Sequence, residues 1–461
     1  AGYGIITMFD EILQAFAEKT PVTVMVHGLL ERFPNAEKID EWFDSTSEVQ
    51  YTRKILFSSI LGVMLQVVCR VKSNVHVAYL DSNIDASRAA LYEKLQNIEL
   101  KTSRELVLYS ATQSEQIIRE IKGCNEPILP GYRTKFLDGN CIESTEHRIK
   151  IPRDTKAGAL PGKSLVIFDP ELDIATDVFP CEDGHAQERS LLKSVLSTIN
   201  YKDLVIADRN FCVLSFLFGI AGEKEHEKGY FIIRQHKGMP YKSLSNIEFI
   251  GNSETGRIYE ERVLLTLEEK ELEVRRIIVK LNKPTRDGES EIAVFSNLPE
   301  EAANAIRIAE IYRKRWGIET AFQKIEKYLN SELNTLGYPK AALFGFCTAL
   351  VAFNVYSVVM AAIRAAHPDI NVNEDVSDYY IADEISTTSG GMSIVVKEKD
   401  WDIFVNGSIS EVGAVLLYLA SNINLRKFKK NKRGPKKSPT PKDKFKGKPH
   451  VSTAKLLAAE G

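Results

Sequence analysis

Hydrophobic patterning divides the chain into helical and strand-rich parts. Apolar residues recur at helical spacing over Met8–Lys19 and Lys54–Val71, and Ser103–Ile121 is a further amphipathic stretch. We therefore predict a helical N-terminal domain over residues 1–125. The pattern alone leaves open whether this domain binds a partner or only covers the rest of the fold.

Short apolar runs that end at turn residues follow the helical part. The runs predicted as strands are Arg133–Leu137, Ser164–Phe168, Thr176–Phe179 and Asp203–Ala207, with a helix over Glu188–Ile199 before the last of them. Three strands, a helix and another strand are the start of an RNase H-like layout. We assign residues 126–235 to the first part of such an α/β core, which includes a further strand at Tyr230–Arg234.

Residues 236–298 are also strand-rich. Arg262–Leu267 and Leu272–Leu281 flank a short polar segment and predict a hairpin, and Ile292–Phe295 predicts another strand. Asn297–Glu300 then predicts the start of a long helix that continues to about Tyr328, because Pro is tolerated in a first helical turn. We assign residues 299–335 to this last core helix and 336–425 to a helical C-terminal region.

One apolar run is long enough to cross a bilayer. Ala341–Ile363 contains Asn354 and Ser357 and has no dense flanking charges, so we interpret it as a buried helix and predict no membrane association. The length of 461 residues indicates two to four domains. The six Cys form no CxxC pair, which favours reduced thiols in the cytoplasm.

Charge is unevenly distributed along the chain. The formal net charge is −2, but residues 426–461 contain thirteen Lys or Arg and two acids. This basic tail is rich in Pro, Gly and Ser, so we expect it to be disordered. It either binds an anionic partner, nucleic acid being the first candidate, or only solubilises the terminus.

Two Asp residues follow predicted strands directly. Asp138 comes after Arg133–Leu137, and Asp208 comes after Asp203–Ala207. Carboxylates at the ends of neighbouring strands point into one crevice and can hold Mg²⁺, which prefers oxygen ligands. Asp is also common in turns, so each residue taken alone is weak evidence.

A helical face supplies the third acidic residue. At 100° per residue Tyr312, Arg315 and Glu319 lie within about 60° of one another, beside the apolar stripe of the same helix. Glu319 would then lie at the edge of the core, where a metal-binding carboxylate belongs. The alternative is that Arg315 and Glu319 form an ordinary surface ion pair.

Several separate motifs together resemble the DDE-type transposases of bacterial insertion sequences, specifically the IS-four group. The matching segments lie between about residues 130 and 445 and are Leu137–Asn140, Glu146–Arg148, Ala159–Gly162, Glu182–Arg189, Ile206–Phe211, Ile233–His236, Tyr312-x2-Arg315-x3-Glu319 and Lys436–Pro441. The order and spacing of these motifs make the resemblance specific.

The resemblance implies that Asp138, Asp208 and Glu319 are a catalytic and metal-binding triad. It also implies that residues 236–298 are the β-rich insertion that the family places before its last acid. The expected cofactor is two Mg²⁺ ions, for which Mn²⁺ can substitute. The family has Lys seven residues after the catalytic Glu, where this chain has Glu326. Either Lys327 or Lys324 replaces that Lys, or its role is lost.

Six residues are candidates for contact with DNA. They are Tyr312, Arg315, Arg209, Lys327, His185 and Arg189. The planar guanidinium of Arg matches phosphate oxygens in a two-pronged contact. His185 and Arg189 either line the site or order a loop, and Trp316 either stacks on a base or packs in the core.

The expected function is that of a DNA transposase. It would cleave transposon ends and join them to target DNA by two-metal-ion phosphodiester chemistry. Its partners would be transposon-end and target double-stranded DNA, bound by a homodimer in the bacterial cytoplasm at the nucleoid. The N-terminal domain would bind the transposon ends. The alternatives are a domesticated RNase H-like nuclease and a DNA-binding derivative that has lost activity.

Overall fold

A computed structural model describes residues 9–48, 55–142, 158–160, 162–183, 188–224, 229–285, 288–333, 335–430 and 450–460. Within these residues the fold is mixed α/β, with one large sheet and many helices. The predicted α/β class is confirmed. The division into domains by residue number stays a prediction.

Helices occupy the N-terminal part of the chain. They are α1 (Glu11–Lys19), α2 (Pro21–Arg32), α3 (Ala36–Thr46), α4 (Phe57–Val68), α5 (Val75–Leu80), α6 (Arg88–Asn97) and α7 (Leu100–Glu120). Several begin with the residue types that cap helices. Asp10, for example, accepts a hydrogen bond from the backbone N–H of Leu13 at 2.8 Å. Their buried apolar residues join the two largest hydrophobic clusters of the protein.

The central region contains six strands and two helices, and five of these strands begin the large sheet. In chain order these are β1 (Arg133–Ile142), β2 (Gly158–Leu160), β3 (Gly162–Asp169), β4 (Ile174–Cys181), α8 (Leu192–Leu196), β5 (Asp203–Ala207), α9 (Leu214–Ala221) and β6 (Tyr230–Arg234). Strand β2 lies outside the large sheet, in which the order is β4–β3–β1–β5–β6. Strand β3 is antiparallel to both of its neighbours, β4 and β1, and β1, β5 and β6 run parallel.

Both faces of this sheet are covered. Because side chains alternate along a strand, Leu137 and Val205 face the cluster that contains α8 and α9, whereas Phe136 and Ile206 face the opposite side. Helices of the N-terminal and C-terminal parts pack on that opposite side. Phe136 and Ile206 are register partners on β1 and β5, so the two strands present the same face at equivalent positions.

The strand-rich segment extends the same sheet. Its strands are β7 (Lys242–Ser243), β8 (Glu248–Asn252), β9 (Gly256–Leu267), β10 (Lys270–Leu281) and β11 (Glu291–Ser296). The predicted hairpin is present as β9–β10, and β11 pairs antiparallel with β6. The segment is therefore continuous with the core sheet. The short strands β7 and β8 carry no clear alternation, and the sequence did not predict them.

The predicted long helix from Pro299 to Tyr328 is wrong in two respects. The first helix, α10, begins only at Ala305 and ends at Arg313, because Asn304 caps it by accepting a hydrogen bond from the backbone N–H of Arg307. A second helix, α11, spans Trp316–Tyr328. Lys314 and Arg315 form the turn between them.

The long apolar run forms α12 (Pro339–Ala366). It is long and apolar enough for a membrane span, but 94% of its most apolar window is buried inside the protein. Asn354 in this helix exchanges hydrogen bonds with the backbone of Ala175 on β4, at 2.8 and 2.9 Å, and donates to the Ser110 hydroxyl of α7. The polar residue therefore fastens a core helix to the sheet.

The C-terminal region continues with α13 (Val372–Asp375), α14 (Asp378–Val395), α15 (Asp402–Asn406) and α16 (Ile409–Ser421). The expected disorder from Arg426 onward is wrong for residues 426–430 and 450–460. Strand β12 (His450–Ser452) pairs in parallel with β2, and α17 (Thr453–Glu460) follows it. Backbone pairing to β2 and burial of Ser452 and Thr453 order this end. Residues 431–449 lie outside the described residues.

Candidate active site

Two carboxylates start from equivalent positions of neighbouring strands. The parallel β1–β5 pairing ends with Leu137 opposite Ala207, so Asp138 and Asp208 are the next residue on each strand. Adjacent strands lie about 4.8 Å apart, and both Asp side chains leave the sheet on the face shared by Phe136 and Ile206. The expectation that β1 ends before Asp138 is wrong, because β1 continues to Ile142 through its pairing with β3.

The turn before α11 brings a third acidic residue to this face. Gly317 lies directly over the sheet, where an added Cβ would lie 3.2 Å from the ring of Phe136. A larger residue would hold the start of α11 away from β1. This close approach brings Arg315, two residues before Gly317, into contact with Asp138, and Arg315 in turn bonds Glu319.

Arg315 joins two of the predicted triad residues. Its guanidinium donates to Asp138 Oδ2 at 3.2 Å and to Glu319 Oε1 at 2.7 Å. Burial alone would lower the pKa of Arg315, but Tyr312 and the charges of Asp138, Glu319 and Asp208 together raise it. One guanidinium thus lies within the electrostatic reach of all three predicted acids. The alternative of an ordinary surface ion pair does not fit, because the Arg315 side chain is only 8% exposed.

One oxygen of Asp208 is reached by no donor in the part of the chain that the structure describes. Its Oδ1 is buried and has no hydrogen-bond partner among the described residues. The nearest recorded cation is Arg234 at the end of β6, whose Nη1 lies 3.9 Å away, beyond hydrogen-bonding distance. A buried carboxylate oxygen without a partner is costly unless a ligand or an ion completes it.

A fourth acid, Glu289, lies beside this group and was not predicted from the sequence. It lies between β10 and β11 and accepts hydrogen bonds from Arg209 at 3.0 Å and from Arg234. Burial would raise the pKa of Glu289, but the hydrogen bond from Arg234 and the charges of both arginines lower it. Arg209, predicted as a DNA contact, therefore lies next to Asp208 as part of a small ionic network.

Tyr312 lies beneath Arg315 rather than at the surface. It is 9% exposed, and the Arg315 guanidinium carbon lies 6.0 Å from its ring centroid. Burial, and to a smaller extent the nearby charge of Asp208, raise the pKa of Tyr312 to about 12. Direct contact of Tyr312 with DNA stays a prediction, whereas its support of Arg315 is visible.

The remaining predicted DNA contacts are spread more widely. Arg189 is exposed and donates to the backbone carbonyl of Asn210, two residues after Asp208, so it lies at the same edge. Lys327 is exposed two helical turns beyond Glu319, with its ammonium 5.2 Å from the Tyr328 ring centroid. His185 lies outside the described residues. We therefore find Arg189 beside the carboxylates and Lys327 away from them.

The structure also places Lys324, a candidate replacement for the family's Lys, and Trp316, a candidate for stacking on a base. Lys324 pairs with Asp378 of α14 at 3.3 Å, so it binds the C-terminal region and is not directed towards the triad. Trp316 is 62% exposed, and the alternative that it packs in the core is wrong. Its ring is presented to solvent one residue from Arg315.

The described residues contain no group of three or more His, Cys, Asp or Glu placed to hold a metal ion together. The guanidinium of Arg315 bonds both Asp138 and Glu319. The donor set nevertheless suits a divalent cation. It consists of carboxylate oxygens, and Asp208 contributes a buried oxygen that has no hydrogen-bond partner within the described ranges.

Asp138 and Asp208 thus lie at equivalent positions of neighbouring strands, and the Arg315–Glu319 pair lies over them at the start of α11. Residues 132–354, slightly less than half of the chain, match the family described as "Transposase DDE domain". This range includes Asp138, Asp208 and Glu319. The resemblance to DDE insertion-sequence transposases is confirmed.

Curated relatives that match the chain carry the names of insertion-sequence transposases. The chain is 22% identical over 293 residues to the putative transposase InsL of insertion sequence element IS186A from Escherichia coli K12, covering 55% of this chain and 72% of that protein. The same figures hold for the transposase of insertion sequence element IS421 from Escherichia coli. A solved piggyBac transposase synaptic complex with hairpin DNA aligns over 83% of this chain and 82% of that one, at 11% identity and a TM-score of 0.39. That superposition is too weak to support any argument about this chain.

Proposed function

We propose that this protein is an insertion-sequence transposase that cleaves the ends of its element and joins them to target DNA. The observation that carries the proposal is that Arg315 bonds both Asp138 and Glu319, while Asp208 follows the strand position paired with the residue before Asp138. The strand order β4–β3–β1–β5–β6, with three antiparallel strands followed by two parallel ones, supports an RNase H-like core for this chemistry.

The triad would hold two Mg²⁺ ions, or Mn²⁺ in their place. When bound, such ions supply Lewis acidity at the attacking and leaving oxygens of a phosphodiester, and lower the pKa of water. The partnerless oxygen of Asp208 and the all-oxygen donor set support this assignment. No side-chain nucleophile is required, since water attacks first and the freed 3′ hydroxyl attacks second.

The protein's own residues orient DNA around the carboxylates. Arg209, Arg234 and Arg189 lie at the edge that carries Asp208, where their guanidinium groups suit phosphate oxygens. Arg315 would have to release Asp138 and Glu319 if both carboxylates were to hold a cation. Released, it would reach the phosphate beside the scissile bond, with Trp316 available to stack on an adjacent base.

The wider setting follows from the same proposal. The substrates are double-stranded transposon ends and target DNA, bound by a homodimer in the bacterial cytoplasm at the nucleoid. The N-terminal helices would bind the transposon ends, and the basic residues of 426–461 would add sequence-independent contacts to the phosphate backbone.

The test is cleavage of a plasmid that carries the gene with its own flanking genomic DNA. We expect Mg²⁺- or Mn²⁺-dependent cuts at the element ends and transfer of labelled 3′ ends to a second plasmid. Asp208→Ala should abolish both, whereas Asp383→Ala, at an exposed site on α14, should not. Cuts without transfer would indicate a nuclease, and binding without cuts would indicate an inactive derivative.

A further inference from the structure

Glu289 is held firmly at the catalytic edge by its own loop. Its backbone N–H donates to the Thr285 hydroxyl at 3.1 Å, and its carbonyl accepts from the Thr285 N–H at 2.8 Å. Its side chain is 17% exposed, and its two carboxylate oxygens accept from Arg209 and Arg234. These contacts therefore place a negative charge beside the strand end that carries Asp208.

The contact matters because Arg234 has a second acidic neighbour. Its Nη2 is bonded to Glu289, whereas its Nη1 stops 3.9 Å from Asp208 Oδ1. A charge-assisted hydrogen bond needs about 2.8 Å, so a shift of roughly 1 Å would close this gap. Without that shift, Asp208 Oδ1 has no hydrogen-bond partner among the described residues.

We propose that Glu289 is a positioning residue of the catalytic centre, which holds Arg234 away from Asp208 and so keeps Asp208 open to a divalent cation. The inference rests on the proposed function, since it assigns Asp208 to the cation. Glu289 itself touches neither the cation nor DNA in this role. It acts through Arg234, and it links the β-rich segment to the core.

Loss of the Glu289 charge should therefore weaken cation binding. In Glu289→Gln the side chain keeps its size, but its amide accepts from one guanidinium and presents N–H groups to the other. Arg234 then pairs with Asp208, and the cation has to displace it. Residues that orient metal ligands typically contribute about 10-fold to 100-fold in metal affinity, so we expect a loss of at least about 10-fold for Mn²⁺.

The experiment is Mn²⁺ binding to the full chain without DNA, followed by electron paramagnetic resonance. Five variants are compared with wild type: Asp208→Ala, Glu289→Gln, Glu291→Gln, Arg234→Gln and the double variant Glu289→Gln/Arg234→Gln. Glu291, exposed on β11 two residues further on, is the matched control. Glu289→Gln should weaken Mn²⁺ binding about 10-fold and Glu291→Gln should leave it unchanged.

The Arg234 variants make the proposal specific. Arg234→Gln should bind Mn²⁺ at least as tightly as wild type, and in the double variant the loss caused by Glu289→Gln should disappear. Wild-type affinity in Glu289→Gln, or a double variant as weak as Glu289→Gln, would overturn the inference. Failure of the proposed function gives a different result, in which Asp208→Ala binds Mn²⁺ as well as wild type.

Discussion

Replacement of Arg315 by Gln tests whether this guanidinium neutralises the predicted triad. The substitution removes a hydrogen bond to Asp138 at 3.2 Å and one to Glu319 at 2.7 Å, and leaves acidic side chains close together. A hydrogen bond to a charged group contributes about 1.5–3 kcal/mol, and the contact with the 35% exposed Glu319 side chain lies at the low end. We therefore expect a loss of about 3 kcal/mol in the free energy of unfolding.

The loss can be followed by thermal unfolding. An unfolding entropy of about 2.1 cal/mol/K per residue gives roughly 1 kcal/mol/K for 461 residues, so Tm should fall by about 3 °C. Arg313→Gln is the matched control, because its pair with Glu254 is exposed on both sides and contributes less than about 1 kcal/mol.

Divalent cations provide the second half of this test. Millimolar Mn²⁺ should raise the Tm of Arg315→Gln more than that of wild type, since the ion no longer competes with a guanidinium for Asp138 and Glu319. The reasoning is refuted if Arg315→Gln and Arg313→Gln unfold at the same temperature, or if Mn²⁺ stabilises Arg315→Gln no more than wild type.

Three further predictions concern stability and DNA. Burial lowers the pKa of His27 from 6.5 to about 4. Between these pH values the unfolded chain binds a proton that the folded chain does not, so the free energy of unfolding decreases as the pH falls, by about 3 kcal/mol in all. Thermal unfolding of His27→Gln should lack this acid-dependent loss. Gly28→Ala places a Cβ 2.4 Å from the Phe404 ring and should lower the free energy of unfolding by about 2 kcal/mol in denaturant titrations. A variant as stable as wild type would contradict this prediction. Trp316→Ala should change the free energy of unfolding by less than about 0.5 kcal/mol, because the side chain is exposed. It should weaken the binding of transposon-end DNA by about 1–3 kcal/mol in fluorescence titrations. An unchanged DNA affinity would exclude stacking.

The elements that could be predicted were those whose residues carry a strong local pattern. Asp203–Ala207 and Tyr230–Arg234 are short apolar runs, and the structure has strands with these same bounds. Asp138 and Asp208 could be picked out in advance because each follows a short apolar run. Their direct neighbourhood on β1 and β5, however, follows from a register that no local pattern contains.

What the sequence could not predict depends on tertiary contact. The break between α10 and α11 places Gly317 against Phe136 and Arg315 against Asp138, and both partners lie about 180 residues earlier in the chain. Glu289 resembled a loop residue, since only the β6–β11 pairing brings it to Arg234. The order of residues 450–460 depends on pairing with β2, which outweighs a composition typical of disorder.

The most direct test of the account is to map where a bound metal lies along the polypeptide. Fe²⁺ with ascorbate and peroxide generates hydroxyl radicals that cut the backbone near the ion, and mass spectrometry locates the cuts. If Asp138, Asp208 and Glu319 hold one metal centre, we expect cuts near residues 138, 208 and 319. All of them should be suppressed by excess Mg²⁺ and lost in Asp208→Ala. Cuts near only one of these positions, or cuts that persist in Asp208→Ala, would contradict it.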